Sequence, residues 1–172
     1  MFRLFKQRVR DMRTLSALCL GAERHANAEG HREPGAEHFL LAALDLPDGT
    51  ARRVFERVGA EPGAFRDAIA HQYRDALRTI GIDAPGFDGI GNEALPSPPG
   101  RKLYEVAASG QAVMQGMVAG RKAHKPLLGA HVVAVIVCIE QGIAARSLKK
   151  MGVDLDSLGA AAKAEIRAVG AH

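Results

Sequence analysis

The sequence predicts an all-α protein: two tandem four-helix repeats related by pseudo-two-fold symmetry, forming one compact eight-helix domain. Three observations predict it. Ala, Leu, Arg and Glu are plentiful, while the 172 residues hold no Trp and two Tyr, a balance that favours helix over sheet. Apolar residues recur three and four positions apart, as on one face of a helix. The chain also repeats itself. His38 and His131 are 93 positions apart, and at that offset His31 meets His124, Gly49 meets Gly142, Ala51 meets Ala144, Arg53 meets Arg146 and Gly59 meets Gly152. Phe55 then falls on Leu148 and Phe65 on Leu158.

The first repeat spans about 12–79. Leu15, Leu18, Cys19, Ala22 and Ala26 mark the inner face of its leading helix, which Pro34-Gly35 stops. Glu37–Leu46 is short and almost wholly apolar, so it is the central buried helix. Pro47-Asp48-Gly49 turns the chain, and Asp48 or Thr50 caps the third helix, whose inward residues are Ala51, Val54, Phe55 and Val58. Gly59 ends it where a left-handed residue is expected. Pro62 suits the first turn of a fourth helix carrying Phe65, Ile69 and Tyr73.

The Gly- and Pro-rich stretch at about 80–97 reads as a linker or ordered loop. The second repeat, about 98–168, follows the same plan. A helix runs from about Pro98 to Gly120, a buried one spans Gly129–Glu140, a third spans Ile143–Met151 and stops at Gly152, and the last starts at Asp154.

The net charge of +4 is spread along the chain. Apart from short basic runs at Arg3–Arg13 and Arg121–Lys125 the charges are scattered, whereas nucleic-acid binding calls for a basic stripe on one face, ideally with stacking aromatics. Cys19 and Cys138 sit inside apolar helical patterns without metal-ligand spacing, as small hydrophobes do in a reducing cytoplasm. No secretory signal pattern opens the chain, and the longest apolar run, Val132–Ile139, is too short to span a bilayer. The expectation is a cytoplasmic protein with no membrane or nucleic-acid partner.

Gly30-His31-Arg32-Glu33-Pro34-Gly35-Ala36-Glu37-His38-Phe39-Leu40-Leu41-Ala42-Ala43-Leu44, followed by Gly49-Thr50-Ala51 and Val58-Gly59-Ala60-Glu61, resembles the repeat of Clp N-terminal domains. Gly129-Ala130-His131, Gly142-Ile143-Ala144 and Met151-Gly152-Val153-Asp154 carry the pattern in the second copy. The resemblance covers about residues 12–168. It implies a protein-binding module that recruits substrates or adaptors to a Clp unfoldase, with no catalytic residue, cofactor or metal of its own. No Gly-x-x-x-x-Gly-Lys-Ser/Thr phosphate loop occurs in these residues, so an ATPase module is not expected among them. The start at Met1 and the small size favour a free-standing relative over the N-terminal domain of a longer chain.

Some relatives recognise phosphorylated arginine through the Glu of the Glu-His pair in each repeat. Glu37 matches that position in the first copy, whereas Ala130 stands there in the second. The alternative function is therefore a sensor of a small molecule or a phosphoarginine-modified protein, using the groove between repeats. Glu37, Thr50, Met114 and Met117 are the candidate binding residues; His38, His131, Gly49, Gly142, Gly59 and Gly152 are structural. The His31/His38 and His124/His131 pairs invite a metal reading, but each straddles a Gly or Pro break, and His38 and His131 suit helix-end backbone groups instead. Core packing is the commoner role for Met114 and Met117 at helical spacing. Gly110, Gly116 and Gly120 in the same helix mark a close helix approach, a kink or a loose groove wall.

Overall fold

A computed structural model describes residues 2–79, 106–123 and 126–170, with the side chains of 2–5 and 121–123 left aside. Among the described residues there are eight helices and no strand. They are α1 (Phe2–Ala28), α2 (Ala36–Leu44), α3 (Thr50–Arg57), α4 (Ala64–Thr79), α5 (Ala108–Ala123), α6 (Gly129–Ile136), α7 (Ile143–Lys150) and α8 (Leu155–Gly170).

The 93-residue offset holds at the level of hydrogen bonds. It carries the start of α2 onto the start of α6 and both ends of α3 onto both ends of α7. His38 Nδ1 accepts the Gly35 N–H at 2.9 Å, and His131 Nδ1 accepts the Leu128 N–H at 3.1 Å. Each imidazole thus satisfies the backbone just before its own helix, a group that the helix itself leaves without a partner. Gly59 and Gly152 both take a left-handed φ, +68° and +75°, at the turn after the third helix of each copy. That conformation costs an L-residue roughly 1–2 kcal/mol and glycine almost nothing.

The core is continuous across both copies. Every residue of α2 is buried, and Phe39, Phe55, Phe65, Leu18, Ile136, Leu148 and Leu158 are among the largest fully buried side chains of the core. α2 packs on α1 and α6, while α3 packs on α8 and α4 on α7. The third and fourth helices of each copy therefore exchange partners across the axis, and neither copy buries its apolar faces without the other.

Several boundaries differ from the sequence expectation. α1 reaches back to Phe2 rather than starting near residue 12, because Asp11 turns inward to accept the Leu127 N–H at 3.0 Å and fixes that part of the helix against the second copy. α6 ends at Ile136 instead of Glu140, and α2 at Leu44 instead of Leu46. α5 begins at Ala108, ten residues after Pro98. The expected linker at 80–97 and the expected start of the leading helix of copy two lie outside the described residues, as does His124.

The helical glycines resolve as close approaches. A Cβ on Gly110 would stand 2.5 Å from the Pro34 carbonyl oxygen, and one on Gly116 would stand 2.5 Å from a Val135 methyl. Gly120 has only ordinary contact nearby.

Candidate functional site

The two copies meet around the N-terminus of α6, where residues of the first copy complete the second. Thr50 Oγ1 accepts the Ala130 N–H at 2.8 Å and donates to Asp48 Oδ1 at 2.6 Å. Asp48 Oδ2 accepts the Gly129 N–H at 3.0 Å, and its Oδ1 also accepts the Thr50 N–H at 2.8 Å. The Asp48 carboxylate thus serves the first turns of both α3 and α6, and the Thr50 hydroxyl serves that of α6. The carboxylate is favourable at the positive end of either helix. Gly129 permits a close approach here, since a Cβ would stand 3.0 Å from the Ala43 carbonyl oxygen. Thr50 is buried, so it faces the other repeat rather than solvent.

The symmetric contact on α2 is built differently. Gln141 and Ile143 occupy the positions equivalent to Asp48 and Thr50, and Ile143 offers no acceptor. The Ala36 N–H donates instead to Ser109 Oγ of α5, at 3.2 Å.

Glu37 is only 6% exposed and accepts a hydrogen bond from the Tyr73 hydroxyl at 3.2 Å. Burial first, and then the Glu37 carboxylate, push the Tyr73 hydroxyl well above its usual range, so it stays protonated as a donor. A guanidinium reaches Glu37 only if Tyr73 withdraws. Met117 is buried in the core, and Met114 is half-buried with its sulfur 4.0 Å from that of Cys19. The four candidate binding residues are therefore interior or half-covered, and they do not form one surface.

His31 and His38 do come together, contrary to the argument from the intervening break: the turn at Gly30–Gly35 folds back and sets their rings 5.3 Å apart. With Glu29 they offer three ligand atoms within 4.8 Å of one another. The hydrogen bonds argue against a metal. A backbone N–H can only donate, so His38 Nδ1 holds a lone pair and Nε2 holds the ring proton, facing Glu29 Oε2 at 3.2 Å. A cation on Nε2 would need both ring nitrogens deprotonated. Burial, followed by the neighbouring His38, holds His31 below the usual imidazole range.

A second feature lies between the repeats. The turns after α3 and α7 face each other across a groove of about 560 Å³, lined by Val58, Gly59, Met151, Gly152, Ser157 and Ala161, among others. Nearby, Glu165 joins α8 to α3 by accepting from Arg53 Nε at 2.9 Å and Arg57 Nε at 2.7 Å. The sequence pattern missed this clasp. Its signal was a lone acidic residue on the otherwise apolar face of α8.

The class of protein is now defined: an all-helical tandem-repeat module whose two halves cap and bury each other. The family follows from comparison. Residues 15–86 match the family model of the Clp repeat (R) N-terminal domain. Such repeats are non-catalytic and bind protein partners in Clp systems. The ATP-dependent Clp protease ATP-binding subunit ClpA homolog CD4B of Solanum lycopersicum is 30% identical over 84 residues, 48% of this chain and 9% of that protein. The chaperone proteins ClpC1 and ClpC2 of Oryza sativa subsp. japonica match at the same identity and coverage. The chain thus aligns with about a tenth of each relative, and all three are named as chloroplastic. Among the described residues, no helix is long and apolar enough to cross a membrane.

Proposed function

We propose that this chain is a non-catalytic protein- or peptide-binding module that recognises substrates or adaptors, or modulates the unfoldase, of a Clp-type protease system in the cytoplasm. The observation carrying the reading is the family match at 15–86 joined to a second copy that keeps the same helix starts, the same His-to-backbone bond and the same left-handed glycine. A double repeat of this kind offers a continuous core and an outer surface on which a protein partner can dock. Affinity purification of the tagged chain under native conditions, followed by mass spectrometry, tests it. The expected result is enrichment of a Clp unfoldase, its adaptors or its clients, without ATP turnover by the chain alone. Recovery of no protein partner would overturn the reading.

A second reading, sensing of a small molecule or a phosphoarginine-modified protein, draws support from the groove between the repeats. Glu37 is not part of that groove's lining. A phosphoarginine version therefore depends on Tyr73 releasing Glu37, and titration with free phosphoarginine tests it.

A further inference from the structure

α1 is far longer than the helix it packs on. Its 27 residues span about 40 Å and the nine of α2 about 14 Å, at about 1.5 Å per residue. One face of α1 holds the core through Leu18, Ala22 and Ala26. The opposite face is apolar as well. Val9, Met12, Ser16 and Leu20 recur at i, i+3, i+7 and i+11, and with Arg13 and Ala17 they line a shallow groove of about 530 Å³. Met12 is 64% exposed and Leu20 56%; among the described residues the only other large hydrophobic so exposed is Val118. A single exposed Leu needs no explanation. Two such side chains in one groove along a helix mark a contact surface.

The charges around the groove are of one sign. Lys6, Arg10 and Arg13 run along one flank at i, i+4 and i+7, and Arg8 edges the other; all four are exposed. None pairs with a described carboxylate. The two acidic residues of α1 do not offset them. Asp11 is turned inward onto Leu127 and Gln7, and Glu23 is half-buried at the far end.

We propose that this face of α1 docks an acidic amphipathic helix of a partner protein. The proposal rests on the protein-binding reading above and gives it a surface. Ridge-into-groove packing lets one row of apolar side chains fill the space between Met12, Ser16 and Leu20. Carboxylates on the flank of that row meet Lys6, Arg10 and Arg13. Among the described lining residues the groove holds no aromatic and is interrupted by Ser16, which favours a protein helix over a lipid surface.

The test uses two fluorescein-labelled 18-residue peptides with leucines on one helical stripe. One carries glutamates along the flank, and the other carries lysines at the same places. Anisotropy titration of the full chain is expected to give at least tenfold tighter binding of the glutamate peptide, weakening with added salt. Leu20→Asp is expected to weaken it tenfold or more, and Arg10→Glu with Arg13→Glu to reverse the preference. Both sites are exposed, so an unchanged melting curve separates lost binding from lost fold. No binding of the glutamate peptide, equal binding of the two, or an unaffected Leu20→Asp protein overturns the proposal. So does sedimentation with vesicles of one-third phosphatidylserine without peptide binding, which would assign the face to membranes. Affinity capture separates the two levels of argument. If wild type and Leu20→Asp recover the same Clp components, the docking face is wrong and the binding module stands. If wild type recovers none, the module reading itself fails.

Discussion

Replacing Thr50 by Val tests how the two repeats are joined. The side chains are nearly the same size, so the substitution removes a hydroxyl and little else. In the protein that hydroxyl accepts the Ala130 N–H and donates to Asp48. Ala130 is fully buried, so no water replaces the lost acceptor. An unsatisfied buried donor costs about 1–3 kcal/mol. Asp48 keeps the N–H groups of Thr50 and Gly129, so its own loss is small. For a chain of this size each kcal/mol shifts the melting temperature by roughly 2–4 °C, which puts the expected fall at about 2–12 °C. Thr50→Ser keeps the hydroxyl and deletes one methyl, at a cost of about 0.8 kcal/mol. Thermal and urea unfolding of the three proteins are the assay, with native-state hydrogen exchange at the Ala130 amide as the local readout. Val is expected to destabilise more than Ser, and the Ala130 amide to exchange faster in the Val protein alone. A Val variant within about 0.5 kcal/mol of wild type, or no less stable than Ser, would refute the role of the hydroxyl.

Glu165→Gln tests the clasp between α8 and α3. Burial alone would raise the Glu165 carboxyl, but the Arg53 and Arg57 hydrogen bonds outweigh it and hold the carboxyl below its usual range. A depressed folded value means stability that is present above the unfolded pKa of about 4.3 and lost as pH falls through the folded value. The wild type should therefore exceed the Gln variant in melting temperature at pH 7, and the gap should close towards pH 3. Gly110→Ala should destabilise in urea unfolding despite the better helix propensity of Ala, because its Cβ meets the Pro34 carbonyl oxygen; a more stable variant would show that the approach relaxes freely. His25 and His31 are both held below the usual imidazole range, chiefly by burial, so the fold favours their neutral forms. Their contribution is present above about pH 6.5 and is lost on acidification, so stability should fall between pH 7 and 5, and His31→Phe should flatten that slope. Calorimetric titration with phosphoarginine should give no heat that Glu37→Ala removes, unless Tyr73→Phe frees the carboxylate first.

The helices were legible because the offset preserves what local structure needs. Gly59 and Gly152 supply the left-handed residue, and His38 and His131 supply the acceptor before a buried helix. Those features depend on residues within four positions of one another, so a pattern reveals them. The length of α1 was not legible. What holds its first half is Asp11 bonded to Leu127, 116 residues away, and the helical spacing of 2–11 looks much like that of any basic surface segment. The candidate site was only partly legible, for the same reason. Asp48 does accept the first N–H of α3, as one of the two expected capping residues, whereas Thr50 is the first residue of that helix and does not cap it. That both serve the start of α6, 80 residues on, depends on how the copies dock. Glu37 looked available because its motif lies at a helix start. Tyr73, on another helix, covers it. The meeting of His31 with His38 likewise came from a turn that spacing alone does not describe.

The copies are thus related in backbone and unrelated in the polar contacts that join them. Asp48 and Thr50 close the start of α6, so the second copy has no open anionic pocket there, and Ala130 has no carboxylate to offer. At the start of α2, Ser109 takes the first N–H and Tyr73 takes Glu37. Both symmetric positions are filled by the chain itself. A ligand that used them would have to break contacts between the repeats, at a cost to the fold of the order worked out for Thr50. The outer face of α1 carries no such cost. Among the described residues, no hydrogen bond or ion pair engages the side chains that line it, and α5 carries no comparable run of cations beside a groove among its described side chains. A partner seated there would engage one repeat and leave the join between the repeats intact. Binding through α1 should therefore survive Thr50→Val, whereas binding at either helix start should not.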